Sequence, residues 1–113
     1  MVTIEKLKEF GANVDDGLSR CLNDENFYLM LVGKVLADKQ ISQLEAAIAQ
    51  GNLDTAFECA HALKGVYANL SLTPLYDVIV EITELLRARQ AIDYTPLLEK
   101  LNTQYKALSS LAE

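Results

Sequence analysis

Residues 53–70 read LDTAFECAHALKGVYANL, from Leu53 to Leu70. Leu53, Ala56, Ala60, Leu63, Tyr67 and Leu70 recur at intervals of three and four, so their side chains line one face of a helix. The stripe runs over more than two heptads, the seam of a helix packed lengthwise on another. Asn52 or Asp54 begins it, and Ser71 to Thr73 breaks it. Downstream, Thr73 is placed to cap a helix with Pro74 at its first position, and Leu75, Ile79, Ile82 and Leu86 form its stripe, widened by Val78 and Leu85. After Gln90 to Asp93, Thr95 is expected to cap a last helix starting at Pro96, with Leu98, Leu101, Tyr105 and Leu108 inward. Upstream of Gly51, Ile41, Leu44, Ala47 and Ile48 mark a helix that follows a soft boundary at Asp38 to Gln40 or bends on from the one before. That earlier helix opens at Asp24 and carries Tyr28, Leu31, Val32, Val35 and Leu36. Two short helices precede it: Val2 to Phe10, capped by Thr3 and ended by Gly11, and a second capped by Asn13 with Val14, Leu18, Cys21 and Leu22 on one side.

Short links between amphipathic helices force neighbours to run antiparallel. The expectation is an all-α, up-and-down antiparallel four-helix bundle over residues 24–111, with short additional N-terminal helices over residues 1–22, in a single domain spanning residues 1–113. No strand alternation, internal repeat, low-complexity segment or linker interrupts the pattern.

Composition narrows the function. With 113 residues, half of them apolar, the chain can bury a core without disulfides or a metal. A net charge of −6 and the lack of any run of lysines or arginines argue against nucleic acid. No apolar run approaches the ~18 residues of a membrane span, and the N-terminal MVTIEKLKEF has no secretory apolar segment. A cytoplasmic location is therefore expected, with Cys21 and Cys59 as buried thiols. A single histidine argues against a catalytic triad or a multi-histidine metal centre, and Cys59 lies on a different side of the helix from His61, a poor metal pair.

His61 is that histidine. At 100° per residue it points roughly 130° away from the Ala60–Leu63–Tyr67 stripe, outside the bundle core. One turn away on either side lie Phe57, Glu58, Lys64 and Gly65, with Ala68 beyond. Gly65 sits in mid-helix without a turn signal, where glycine is ~1 kcal/mol less favourable than alanine. Its presence makes sense where something must approach the backbone beside His61; the ordinary alternative is close packing against a neighbouring helix, the reading given to Gly33. Lys64 is suited to neutralise an anion carried on the imidazole, or is a solubilising charge. A nucleophilic imidazole needs solvent access and an unprotonated attacking nitrogen, which an exposed flank supplies.

The run Ala60-His61-Ala62-Leu63-Lys64-Gly65-Val66-Tyr67-Ala68-Asn69-Leu70 resembles the signature of the histidine-containing phosphotransfer (HPt) family, A-H-x-L-K-G-x-x-x-x-L/F-G. Asn13 to Cys21 (NVDDGLSRC), Glu25 to Leu31 (ENFYLML) and Ala46 to Leu53 (AAIAQGNL) resemble its upstream segments, so the likeness covers residues 11–110. The resemblance implies that His61 accepts a phosphoryl group through Nε2, that Lys64 steadies the phosphoryl oxygens, and that Gly65 leaves room for a receiver domain. The family's orienting glutamine or glutamate, twenty-two positions after the histidine, is Thr83 here, with Glu81 or Glu84 as candidate substitutes; the family's glycine after the histidine helix is Ser71, which suggests a different helix ending.

The implied partners are response-regulator receiver domains and a sensor or hybrid histidine kinase. The chain has no nucleotide loop and no cofactor of its own, and Mg²⁺ would belong to the receiver. It would thus be a carrier, not an enzyme, either free-standing or a domain of a hybrid kinase, with a monomer expected because one bundle uses all the apolar stripes. Phe10, Val14, Leu18, Phe27, Phe57 and Ala68 are the candidate docking residues, against the ordinary reading that they pack short helices onto the bundle. The competing functions are a structural or adaptor bundle with an incidental H-x-x-K-G, and an enzyme or cofactor-binding bundle. The latter requires paired inward Glu-x-x-His ligands, whereas Glu58 and His61 point outward without a second copy.

Overall fold

The structure, a computed structural model, describes all 113 residues. Seven helices account for 75% of them and there is no strand: α1 (Ile4–Phe10), α2 (Val14–Arg20), α3 (Glu25–Ala37), α4 (Gln40–Ala49), α5 (Leu53–Asn69), α6 (Thr73–Arg87) and α7 (Thr95–Ser110).

Four helix starts follow from a local side chain that accepts an otherwise unpaired first-turn amide. Thr3 Oγ1 takes the Lys6 amide at 3.2 Å and Asn13 Oδ1 that of Asp16 at 3.3 Å. Asp24 Oδ1 takes Phe27's at 3.1 Å, and Asn52 Oδ1 takes Thr55's at 3.2 Å, so α5 begins at Asn52 rather than Asp54. At α6 and α7 the expected threonine caps are displaced. Thr73 and Thr95 are the first helical residues, and the caps are Leu72 and Tyr94, neither of which makes a side-chain capping bond. Leu72 is wholly buried and Tyr94 nearly so, so core packing anchors both starts. The Thr95 amide instead donates to Asp93 Oδ1 at 3.0 Å. A break at Asp38–Lys39 separates α3 from α4.

α5 packs along α4 on one side and α6 on the other, and α6 packs along α7. Ala56, Ala60, Leu63 and Tyr67 of α5 meet Leu75, Ile79, Ile82 and Leu86 of α6 and Leu101 and Leu108 of α7 in one continuous core. α3 reaches α7, where Tyr105 Oη donates to the Leu36 carbonyl at 2.7 Å. Tyr28 is wholly buried, donates to the Leu70 carbonyl at 2.8 Å and has its phenol pushed up to about 12 by burial. Cys21 is buried and Cys59 half-buried; both are free thiols pushed up by burial.

The end of α5 differs from expectation. Ser71 adopts the left-handed conformation usual for glycine, with φ 52°. The Leu72 amide returns to the Tyr67 carbonyl at 3.0 Å and the Ser71 amide to Ala68 at 3.1 Å, the paired bonds of a Schellman ending. The Ser71 hydroxyl donates to Asp16 Oδ2, and its carbonyl accepts the Asn13 amide at 3.0 Å, so this turn docks α2. Gly17 makes that docking possible: a Cβ there would lie 2.8 Å from the Tyr28 ring and 2.9 Å from the Leu70 carbonyl oxygen. The close-packing glycine is therefore Gly17. Gly33, assigned that role from sequence, faces open space.

Candidate functional site

The stripe that buries Ala60, Leu63 and Tyr67 necessarily turns His61 outward, and its side chain is exposed on the flank of α5. Phe57, one turn earlier and half-buried against the core, supports it. The two rings stack at 5.7 Å between centroids with an interplanar angle of 23°, within the range of an offset aromatic pair. Phe57 also lies beneath two guanidiniums, Arg87 Cζ at 5.0 Å and Arg89 Cζ at 5.1 Å from its centroid.

Those arginines come from the end of α6. Arg87 closes its last turn, where a cation complements the helix dipole, and its Nε lies 3.3 Å from Glu84 Oε2. Arg89 is left-handed, with φ 54°. Its Nε donates to Asp54 Oδ1 at 2.8 Å and its Nη1 to the Leu86 carbonyl at 2.7 Å, which ties the end of α6 back to the start of α5. In a chain of charge −6, two cations thus share the ring that supports the only histidine. The sequence reasoning passed over both arginines. The signal was there, two arginines closing one amphipathic helix, but antiparallel packing of α6 on α5 is what brings them to Phe57.

Lys64 lies one turn after His61 and its side chain is partly buried. Its Nζ is 3.9 Å from Glu84 Oε1, beyond hydrogen-bond length, so the ammonium is only loosely held. Over Gly65 there is open space: an added Cβ would meet nothing within 4 Å. Nothing within the fold requires a glycine there.

Thr83 does not reach the imidazole. It is wholly buried and its hydroxyl donates to the Ile79 carbonyl at 2.6 Å, the usual back-bond of a threonine in mid-helix, so the expectation that it orients His61 is corrected. Glu84 is turned toward Lys64 and Arg87. Helical spacing sets the correction, because Thr83 follows Ile79 and Ile82 on the inward face of α6.

Val14 is also corrected: it is 3% exposed, part of the core, and unavailable for docking. Phe10 and Leu18 are half-buried against that core, Phe27 is exposed, and Ala68 is half-buried. α2 and α3 meet α5 at Leu70 and Ser71, nine and ten residues past His61. Nine residues of helix is ~14 Å. Ala68 lines a cleft of about 240 Å³ there, with Asn13, Asp16 and Arg20 on its other wall. No group of three or more His, Cys, Asp or Glu side chains is disposed to hold a metal ion.

A family model described as Hpt domain matches residues 34–111, from the later part of α3 through α7 and including the whole α5–α6 site. Residues 11–33, part of the resemblance noted from sequence, lie outside the matched span. No curated protein and no solved structure matches the chain.

Proposed function

The chain belongs to the Hpt domain family, whose members carry phosphoryl groups in two-component signalling without an ATP site of their own, and on that premise we propose that His61 is the phosphoryl carrier of this protein. The observation that carries the proposal is the setting of the imidazole. The chain's one histidine is exposed on α5, with a cation one turn on at Lys64 and open space over Gly65, the residue that follows it.

In the proposed step the lone pair of His61 Nε2 attacks the phosphorus of a receiver domain's aspartyl phosphate. An N–P bond forms and the P–O bond to the aspartate breaks, returning that residue as a carboxylate. The imidazolium so formed gives its Nδ1 proton to water, which leaves a neutral ring carrying a phosphoryl dianion, and that proton is taken back when the group leaves. Onward transfer to a second receiver runs the same exchange in reverse. Lys64 is free to turn from Glu84 toward the phosphoryl oxygens, since the 3.9 Å pair is weak and exposed on the Glu84 side. Gly65 leaves the backbone open to the incoming domain. Any Mg²⁺ resides in the receiver, and no cofactor is assigned to this chain.

The docking face in this reading runs from His61 and Gly65 along α5 to Ala68 and Phe27, with the edges of Phe10 and Leu18. Its span of ~14 Å from His61 to the N-terminal helices fits within a patch of ~800 Å² per partner. The partners are receiver domains and a sensor or hybrid kinase. The protein acts as a cytoplasmic monomer, in one domain over residues 1–113. Its bundle is up-and-down and antiparallel, with α3 and α4 as one broken arm and α5, α6 and α7 as the others. The sequential packing of α4, α5, α6 and α7 through short links supports that arrangement.

The test is a transfer assay from a panel of radiolabelled, aspartyl-phosphorylated receivers to the wild type and to His61→Gln. Label on the wild type alone, stable in base and lost in acid, is expected. Label on neither protein across active receivers would replace the carrier reading with that of an adaptor bundle.

A further inference from the structure

We propose that Phe57 is a positioning residue for His61: a stacked shelf, itself clamped by Arg87 and Arg89, that orients the imidazole in place of a hydrogen bond from a neighbouring helix. The inference rests on the reading of His61 as the phosphoryl carrier.

An exposed imidazole on a helix samples several rotamers, and attack requires that Nε2 be presented along one direction. The usual remedy is a hydrogen bond to the second ring nitrogen, which fixes ring orientation and tautomer. α6 does not supply one. Thr83 is turned inward onto Ile79, while Glu84 is engaged with Arg87 and lies near Lys64. What does touch the ring is Phe57, stacked at 5.7 Å and 23°. A stack restrains both side-chain torsions of the histidine yet leaves its nitrogens free for the reacting phosphoryl group.

A shelf must itself be fixed. Phe57 is half-buried against the core and is covered by two guanidiniums over its ring, at 5.0 and 5.1 Å from its centroid, each pinned elsewhere. Arg89 is pinned to Asp54 and to the Leu86 carbonyl, and Arg87 to Glu84. The ring thus connects the start of α5, the end of α6 and His61 in one chain of contacts. Retaining aromaticity at this position matters more than retaining volume.

The experiment compares wild type, Phe57→Leu, Phe57→Tyr and the double variant Arg87→Gln/Arg89→Gln. Each is read by circular dichroism for folding, by proton NMR of the His61 ring and by the rate of phosphoryl uptake from one aspartyl-phosphorylated receiver. Stacking on Phe57 shifts the His61 ring protons upfield. Phe57→Leu should abolish that shift and slow uptake by about two- to tenfold, the range an aromatic pair supports. Phe57→Tyr should restore both, and the double arginine variant should weaken both partially. Two results overturn the proposal: a folded Phe57→Leu protein that loses the ring shift but takes up label at the wild-type rate, or unchanged His61 resonances in that variant. A double arginine variant with wild-type shift and rate removes the clamp from it. Should the wild type show the ring shift but accept no label, the carrier reading fails, and the stack is then a surface contact without a positioning role.

Discussion

Gly65→Ala separates stability from function at a single methyl group. In mid-helix, alanine is favoured over glycine by ~0.8–1.0 kcal/mol. That gain is usually offset where the new Cβ meets a neighbour, but here it meets nothing within 4 Å, so close to the full amount should appear as stability. For a chain of this length the unfolding entropy is ~0.24 kcal/mol/K, which converts the gain into a Tm higher by ~4 °C. Urea unfolding should agree, with a higher midpoint and an unchanged slope. Phosphoryl uptake from a receiver should slow in the same protein, and Gly65→Gln, with similar helix propensity but a side chain that occupies the approach, should slow it far more. The opposite sign is expected at Gly17, where an added Cβ would lie 2.8 Å from the Tyr28 ring and 2.9 Å from a backbone oxygen. Overpacking there should outweigh the helix-propensity gain and destabilise Gly17→Ala by up to about 2 kcal/mol. A Gly65→Ala protein with a lowered Tm would mean that the glycine is needed for packing. A more stable Gly65→Gln protein that accepts label at the wild-type rate would refute the account of an open approach.

Lys64→Ala should shorten the lifetime of the phosphoryl form or slow its formation, as label decay would show, while moving Tm little, because its pair with Glu84 at 3.9 Å is worth well under ~1 kcal/mol. Tyr28→Phe removes the buried hydrogen bond to the Leu70 carbonyl and should lower stability by about 1–2 kcal/mol in urea titration, loosening α2 and α3 from the end of α5. Asp16 supplies a pH dependence. The hydrogen bond from Ser71, and then the one from Arg20, hold its carboxyl below the usual 3.8. A carboxyl depressed in the folded state contributes stability that is present above the unfolded value and is lost as pH falls from there through the folded value. Wild-type Tm should therefore drop more steeply than that of Asp16→Asn as pH is lowered below about 4. Parallel acid limbs would count against the Ser71–Asp16 contact.

Sequence alone determined what depends on residues within one or two turns of each other. The starts at Thr3, Asn13 and Asp24 are legible, and that of α5 is narrowed to Asn52 or Asp54, because each cap bonds an amide only three residues ahead. The inward stripes and the outward direction of His61 follow from helical period alone. The H-x-x-K-G run on an outward flank pointed to the family because its residues are neighbours along one helix. Tertiary structure decided everything that depends on which helix lies opposite. Burial of Leu72 and Tyr94 moved two helix starts back by one residue, and burial of Val14 took it out of the docking face. Thr83 shares a heptad face with Ile79 and Ile82, so the packing of α6 buried a hydroxyl that the family resemblance had offered to His61. The close-packing role expected of Gly33 falls to Gly17, because only Gly17 lies against Tyr28 and Leu70. Arg87 and Arg89 reach Phe57 because α6 ends beside the start of α5, a contact between residues some thirty positions apart that no local pattern encodes. A helical period fixes a side chain's direction around its own axis, and only packing supplies what it meets there.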